Sequence, residues 1–165
     1  WEASDAFVLD NDSSVMAWAK NEHLGFEVLY LYRGVVRKYR PDFLIRLRNG
    51  EMLVLETKGQ DTEQDRVKRR YLDEWTQAVN AHGGFGHWRW AVVHQPGDIL
   101  DVLVLARATE RGSHEGSDNP EEDARLLREA LTVLQKYKDK PEAWMRWEEF
   151  EAELDEAERA GELPA

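Results

Sequence analysis

Pro41-Asp42-Phe43-Leu44-Ile45-Arg46-Leu47-Arg48-Asn49-Gly50-Glu51-Met52-Leu53-Val54-Leu55-Glu56-Thr57-Lys58 is the stretch on which the reading of this chain turns. Asn49-Gly50 between two apolar runs is a hairpin signal, because glycine enters the left-handed backbone region that tight turns demand. With Arg48-Asn49-Gly50 as a three-residue loop and Gly50 left-handed, Leu47 pairs with Glu51 and the antiparallel ladder sets Asp42 opposite Glu56. Directly opposed side chains stand with Cβ atoms about 4.5–5.5 Å apart, and two carboxylates that close repel unless a cation lies between them. Strand alternation puts Lys58 on the face of Glu56 and turns Leu53, Leu55 and Thr57 the other way.

Met52-Leu53-Val54-Leu55 is apolar enough to lie inside a sheet, where an unpaired charge is costly, so the charges at its end need a reason. Carboxylate oxygens suit Mg²⁺, with Mn²⁺ as a substitute, and such ions stabilise charge on phosphoryl oxygens. An ammonium beside them orients or deprotonates an attacking water and offsets charge in the transition state. Asp42, Glu56 and Lys58 are therefore the candidate catalytic residues, with Asp42 and Glu56 as metal ligands, for phosphodiester hydrolysis.

Outward from this hairpin, residues 13–21 read as a helix capped by Asp12 or Ser13, with Val15, Trp18 and Ala19 on one face. Phe26 to Tyr32 is rich in aromatic and β-branched residues and reads as a strand; Gly34 turns it into a second, Val35 to Tyr39. From Thr62 to about Asn80 the apolar positions Val67, Tyr71, Leu72, Trp75, Ala78 and Val79 recur at helical spacing. Asp65 stands three residues after Thr62, as in a capping box. His82-Gly83-Gly84-Phe85-Gly86 ends that helix, Trp88 to His94 is a further strand, and Gly97 to Ala106 a short helix. Residues 1–110 are thus expected to form the main domain, 111–120 a linker by their turn chemistry, and 121–165 an acidic helical hairpin whose second helix carries Ala143, Trp147, Phe150, Leu154 and Ala157 as an apolar stripe.

The net charge of −11 argues against a nucleic-acid partner until its distribution is considered. From Arg33 to Arg70 there are eleven basic residues against six acidic, whereas Gly116 to Ala165 holds fifteen acidic against seven basic. The middle of the chain is a phosphate track, to which Arg37, Lys38, Arg40, Arg66, Lys68, Arg69 and Arg70 contribute as candidate DNA-binding residues, and the acidity belongs to the tail. The chain has no cysteine, which excludes disulfides and thiolate metal sites. No apolar run is long enough to span a bilayer and no targeting segment is visible, so no membrane partner is expected and a cytoplasmic setting fits.

The Pro41-Asp42 and Glu56-Thr57-Lys58 motifs resemble the PD-(D/E)xK nuclease superfamily. The stretches Lys20 to Phe26, Tyr39 to Ile45, Leu55 to Gly59 and Ala78 to Gly86 are similar to the C-terminal endonuclease region of type III restriction enzyme subunits, and the likeness covers about Trp1 to Arg107. This resemblance implies an α/β, restriction-endonuclease-like αβββαβ core with a mixed central sheet flanked by helices. It implies Mg²⁺ ligation by Asp42, Glu56 and the Thr57 carbonyl, with an acid from the first helix, for which Glu2 is chosen over Asp5 or Asp10. It also implies DNA as substrate, a helicase or ATPase region elsewhere, and other restriction subunits as partners in phage defence.

Three further features have plainer readings. His82, His87 and His94 lack a zinc-ligand spacing and are taken as loop or surface residues. Gly83, Gly84 and Gly86 follow a helix and do not lead a strand into a helix start, so they end a helix and do not cradle phosphate. Trp88 and Trp90 share one strand face and are taken as core, not as base-stacking platforms.

Overall fold

The computed structural model describes residues 2–112 and, beyond them, residues 121, 125, 128, 129, 132 and 135. The expected linker from 113 onward and, apart from those six residues, the acidic tail lie outside the described residues. The chain divides into two compact units, Trp1–Pro96 and Gly97–Ala165. Elements of the first unit are α1 (Glu2–Asn11), β1 (Val15–Lys20), β2 (Val28–Tyr32), β3 (Val35–Tyr39), β4 (Phe43–Leu47), β5 (Met52–Thr57), α2 (Glu63–His82) and β6 (Trp88–Val93). The second unit contributes α3 (Asp98–Gly112). This helix runs further than the expected 97–106 and takes in Arg111 and Gly112, the first two residues assigned to the linker. Among the described residues no helix is long and apolar enough to cross a membrane.

The fold is α/β with a mixed sheet. Four strands pair in the order β1-β4-β5-β6, and β2 with β3 forms a separate two-stranded sheet. β1 runs antiparallel to β4 and β4 to β5, while β5 and β6 are parallel and joined by the α2 crossover, as a parallel pair requires. Apart from the β2–β3 ribbon, the elements of the first unit run helix, three strands, helix, strand.

Residues 13–21, expected to be helical, instead form β1, and the helix lies upstream at Glu2–Asn11. The physical reason is a bulge. Val15 pairs with Leu47 but Ala17 pairs with Arg46, so Met16 is an extra residue and the side-chain alternation slips by one. Val15 and Trp18, three apart, then share the face of Leu47 and Ile45, a spacing that imitates a helix. Trp18 packs edge-on against Phe43 at 5.8 Å, and its indole Nε1 donates to Asp10 at 2.8 Å.

The β4–β5 turn is the three-residue loop expected. Gly50 has φ of 91°, its amide donates to the Leu47 carbonyl at 3.0 Å, and the Leu47 amide donates to the Glu51 carbonyl at 2.9 Å. Val54 and Leu55 of β5 are wholly buried, as befits a strand covered on both faces. On one face, Val54, Trp90 and Val92 pack with Leu72 of α2 and with Val28, Tyr30 and Tyr39 of the ribbon. Trp88 joins them through Phe26 and Trp75, at 6.0 and 5.1 Å between ring centroids, and Trp90 Nε1 donates to Asp73 at 3.0 Å. Both tryptophans are therefore committed to packing.

Candidate active site

The β4–β5 register is Phe43↔Leu55, Leu44↔Val54, Ile45↔Leu53 and Arg46↔Met52. Continued one step, it sets Asp42 opposite Glu56 on the face that looks toward α2 and the ribbon. Asp42 is held from two sides. Its Oδ2 accepts from the Thr57 amide at 2.8 Å and from Thr57 Oγ1 at 2.9 Å. Its carbonyl accepts from the amide of buried Asn21 at 2.8 Å. The Asn21 side chain donates to the carbonyls of Pro41 (3.0 Å) and Phe26 (2.8 Å), and so ties the end of β1 to the Pro41-Asp42 corner.

Glu56 is 6% exposed. Its Oε2 accepts from the Tyr39 hydroxyl, and its Oε1 lies 3.0 Å from Lys58 Nζ. Burial pushes the Glu56 carboxyl above its ordinary range and the nearby Asp42 charge adds to this, while Tyr39 and Lys58 hold it back. Burial and the Glu56 charge drive the Tyr39 phenol upward, so it stays protonated and serves as donor. Lys58 Nζ is also 3.2 Å from Asp65 Oδ1, which in turn accepts from Lys68 at 3.1 Å. Burial alone would lower the Lys58 ammonium, but its contacts to Glu56 and Asp65 win and hold it above its usual value.

Asp65 therefore has two tasks. Within the α2 capping box its Oδ2 accepts from the Thr62 amide at 3.2 Å and hydroxyl at 2.6 Å, while its own amide donates to Thr62 Oγ1. Toward the site it holds Lys58. The sequence identified the cap but not the second contact; nor did it identify Tyr39, although both residues stand beside the quoted motifs. Signals existed: a tyrosine three residues before Asp42, and an acid at the start of a helix that begins five residues past Lys58.

The basic residues divide. Arg37 is exposed on β3. Lys38 and Arg40 are exposed but converge on Glu27, at 2.8 and 2.7 Å. Arg69 is mostly buried and forks onto Asp61 at 2.5 and 2.6 Å, which holds the Asp61 carboxyl below its ordinary range. Lys68 sits over the Tyr39 ring at 5.7 Å, Arg66 reaches Asp61 at 3.4 Å, and exposed Arg70 lies over Tyr71 at 5.6 Å. Lys68 and Arg69 thus brace the site, and Arg37, Arg66 and Arg70 face solvent.

Among the described residues no three His, Cys, Asp or Glu side chains cluster as a metal-binding group. What can hold a cation is the opposed pair Asp42 and Glu56 with a backbone carbonyl, an all-oxygen set that suits a hard divalent ion retaining several waters. Glu2 belongs to α1, whose buried acid is Asp5, four residues before buried Leu9 and so on the same inward face. His94 places Nδ1 2.8 Å from the Lys58 carbonyl, an acceptor, which fixes a proton on that nitrogen. His87 pairs with Glu51 at 3.2 Å, and Gly83 caps α2 with φ of 73°. Compared with protein-family models, curated proteins and solved structures, the chain finds no match.

Proposed function

We propose that this chain is a Mg²⁺-dependent DNA endonuclease domain of the PD-(D/E)xK class, in which Asp42, Glu56 and the Thr57 carbonyl bind the ion and Lys58 serves the reacting phosphate. One observation carries the reading: a buried carboxylate opposite a second one, with an ammonium 3.0 Å away, at the end of an apolar central strand. The order of helix, three strands, helix, strand agrees with it. Similarity to the nuclease part of a type III restriction helicase-nuclease implies that an ATP-driven motor and partner subunits deliver the DNA in a cytoplasmic defence system.

A divalent ion bound there would polarise the phosphoryl oxygens and the attacking water. Asp42, its Oδ2 held by two Thr57 bonds, would offer such an ion its other oxygen, and Glu56 would offer an oxygen given up by Lys58 or Tyr39. Lys58 keeps its proton at neutral pH, so it orients the water and offsets negative charge on the five-coordinate phosphorus and does not act as the base. The water oxygen forms the new P–O bond and gives its proton to bulk water, the bond to the departing sugar oxygen breaks, and that oxygen takes a proton from solvent. Asp65, 3.2 Å from Lys58 Nζ, would keep the ammonium in place were Glu56 to bind the ion.

Supercoiled plasmid with Mg²⁺ is the test. Parent chain is expected to nick or linearise it, EDTA to stop it, and Asp42→Ala to reduce the rate at least 10²-fold, the scale for loss of a transition-state electrostatic contact. Plasmid left equally intact by both, with gel shifts preserved, would mean a DNA-binding module that does not cut. Linear and branched DNA as competing substrates separate an exonuclease or junction resolvase from an endonuclease.

A further inference from the structure

A ring of side chains closes beside Glu56. Its Oε2 accepts from the Tyr39 hydroxyl, and Lys68 Nζ stands 5.7 Å from the centre of the Tyr39 ring. Lys68 and Lys58 both reach Asp65 Oδ1, at 3.1 and 3.2 Å, and Lys58 returns to Glu56 Oε1 at 3.0 Å. The two Glu56 oxygens are not held alike. An ammonium has several donor hydrogens, and Lys58 has a second acceptor in Asp65, so it can leave Oε1 and keep a counter-charge. Tyr39 is 3% exposed, and among the described residues its one hydroxyl hydrogen has Glu56 as its only acceptor. Parted from Oε2, that hydroxyl would be a buried donor without a partner, which costs more than an ammonium that keeps one of its contacts. Asp42 has a matching asymmetry: Oδ2 takes both Thr57 bonds, and Oδ1 accepts none among the described residues.

We propose that Tyr39 is a positioning residue for a divalent cation: it keeps Oε2 of Glu56, so that Oε1, released by Lys58, is the oxygen Glu56 gives to the ion beside Asp42 Oδ1. A hydrogen bond on the far oxygen fixes the plane of a ligating carboxylate, and loss of such a partner typically costs about 10–100-fold in metal affinity. The phenol is itself held, by its place in the core with Val28 and Tyr30 and by the Lys68 ammonium over its ring. The β2–β3 ribbon thereby takes part in the site through one hydroxyl at its inner end. The inference rests on the nuclease reading only for the presence of an ion between Asp42 and Glu56, and not for what that ion does to DNA.

Binding of Mn²⁺ to the full chain without DNA, read from the loss of the free-ion EPR signal, tests this. Asp42→Ala locates the ion and is expected to abolish the site. Tyr39→Phe keeps the ring, its packing and the Lys68 contact while removing the hydroxyl, and is expected to weaken Mn²⁺ binding by about 10–100-fold. Tyr30→Phe removes another hydroxyl of the same ribbon, one that accepts from Gln64 at 2.5 Å, and is expected to bind Mn²⁺ as the parent does. Thermal melting in EDTA verifies that each variant is folded at the titration temperature. Parent-like or tighter binding by Tyr39→Phe, with the site still lost in Asp42→Ala, would overturn the proposal alone, for then the phenol either does not matter or competes with the ion for Oε2. An equal loss in Tyr30→Phe would overturn it too, by showing a general effect of the ribbon. A parent that binds no Mn²⁺, or binds it equally well as Asp42→Ala, would remove the ion from this site and both readings with it. The expected pattern of affinities with no plasmid cleavage by any chain would sink the nuclease alone.

Discussion

Glu56 is a carboxyl group at the end of a central strand, buried, and answered by a phenol and an ammonium. Its folded value is raised by burial, so its contribution to stability is fully present below the unfolded value and is lost as pH rises through the folded one. In its ionised form the group therefore costs stability, and Glu56→Gln in EDTA is expected to melt at the same temperature as the parent or higher. A divalent ion reverses the balance, because it needs the charged form. Mg²⁺ is expected to raise the parent's melting temperature more at pH 8 than at pH 5, and to leave Glu56→Gln unmoved. An equal Mg²⁺ shift in both proteins would place the ion elsewhere. Asp42, Glu56 and Lys58 were visible in the sequence because alternation and a short loop fix who faces whom. Tyr39 was not, because its partner is on a different sheet and no local spacing relates the two.

At the scale of elements, α2 carries both core and site. Thr62 and Asp65 close the capping box, and the same Asp65 holds Lys58. Burial alone would raise Asp65, but Thr62, Lys68 and Lys58 bring its carboxyl well below the ordinary range. Its stabilising contribution is thus present above the unfolded value, about 3.9, and lost as pH falls through the lower folded one. Thr62→Ala is expected to cost about 1 kcal/mol at pH 7. Denaturant melts of Asp65→Asn and parent should differ most above pH 5 and converge toward pH 2; a constant gap would mean that the ionised cap contributes nothing. The cap, the β2–β3 turn at Gly34 and the β4–β5 turn at Gly50 were all legible, since each depends on neighbours in sequence. β1 was misread because its bulge mimics helical spacing, and α1, to which only the resemblance pointed through its choice of Glu2, left no periodic signal because an acid, Asp5, occupies an inward position where an apolar residue would have marked the helix.

Over the whole molecule the charges are segregated: basic excess from Arg33 to Arg70, acidic excess from Gly116 onward. Like charge slows the encounter with a polyanion through long-range repulsion that salt screens within about 8–10 Å at physiological strength. Truncation after Gly112 is expected to raise the rate of association with duplex DNA in low salt, and the gain should fade at physiological salt. Identical rates at low salt would show that the tail's field does not reach the DNA.

Sequence by itself determined the hairpins, the long capped helix, the central strand and the opposition of Asp42 to Glu56, all products of turn chemistry and period-two alternation that act over a few residues. Only the tertiary structure decided that β2 and β3 leave the main sheet, that Tyr39 and Asp65 complete the surroundings of Glu56 and Lys58, and that Lys68 and Arg69 are spent on internal pairs. Those outcomes depend on which distant surfaces meet, and a burial partner contributed from another element leaves no periodicity in the chain that needs it.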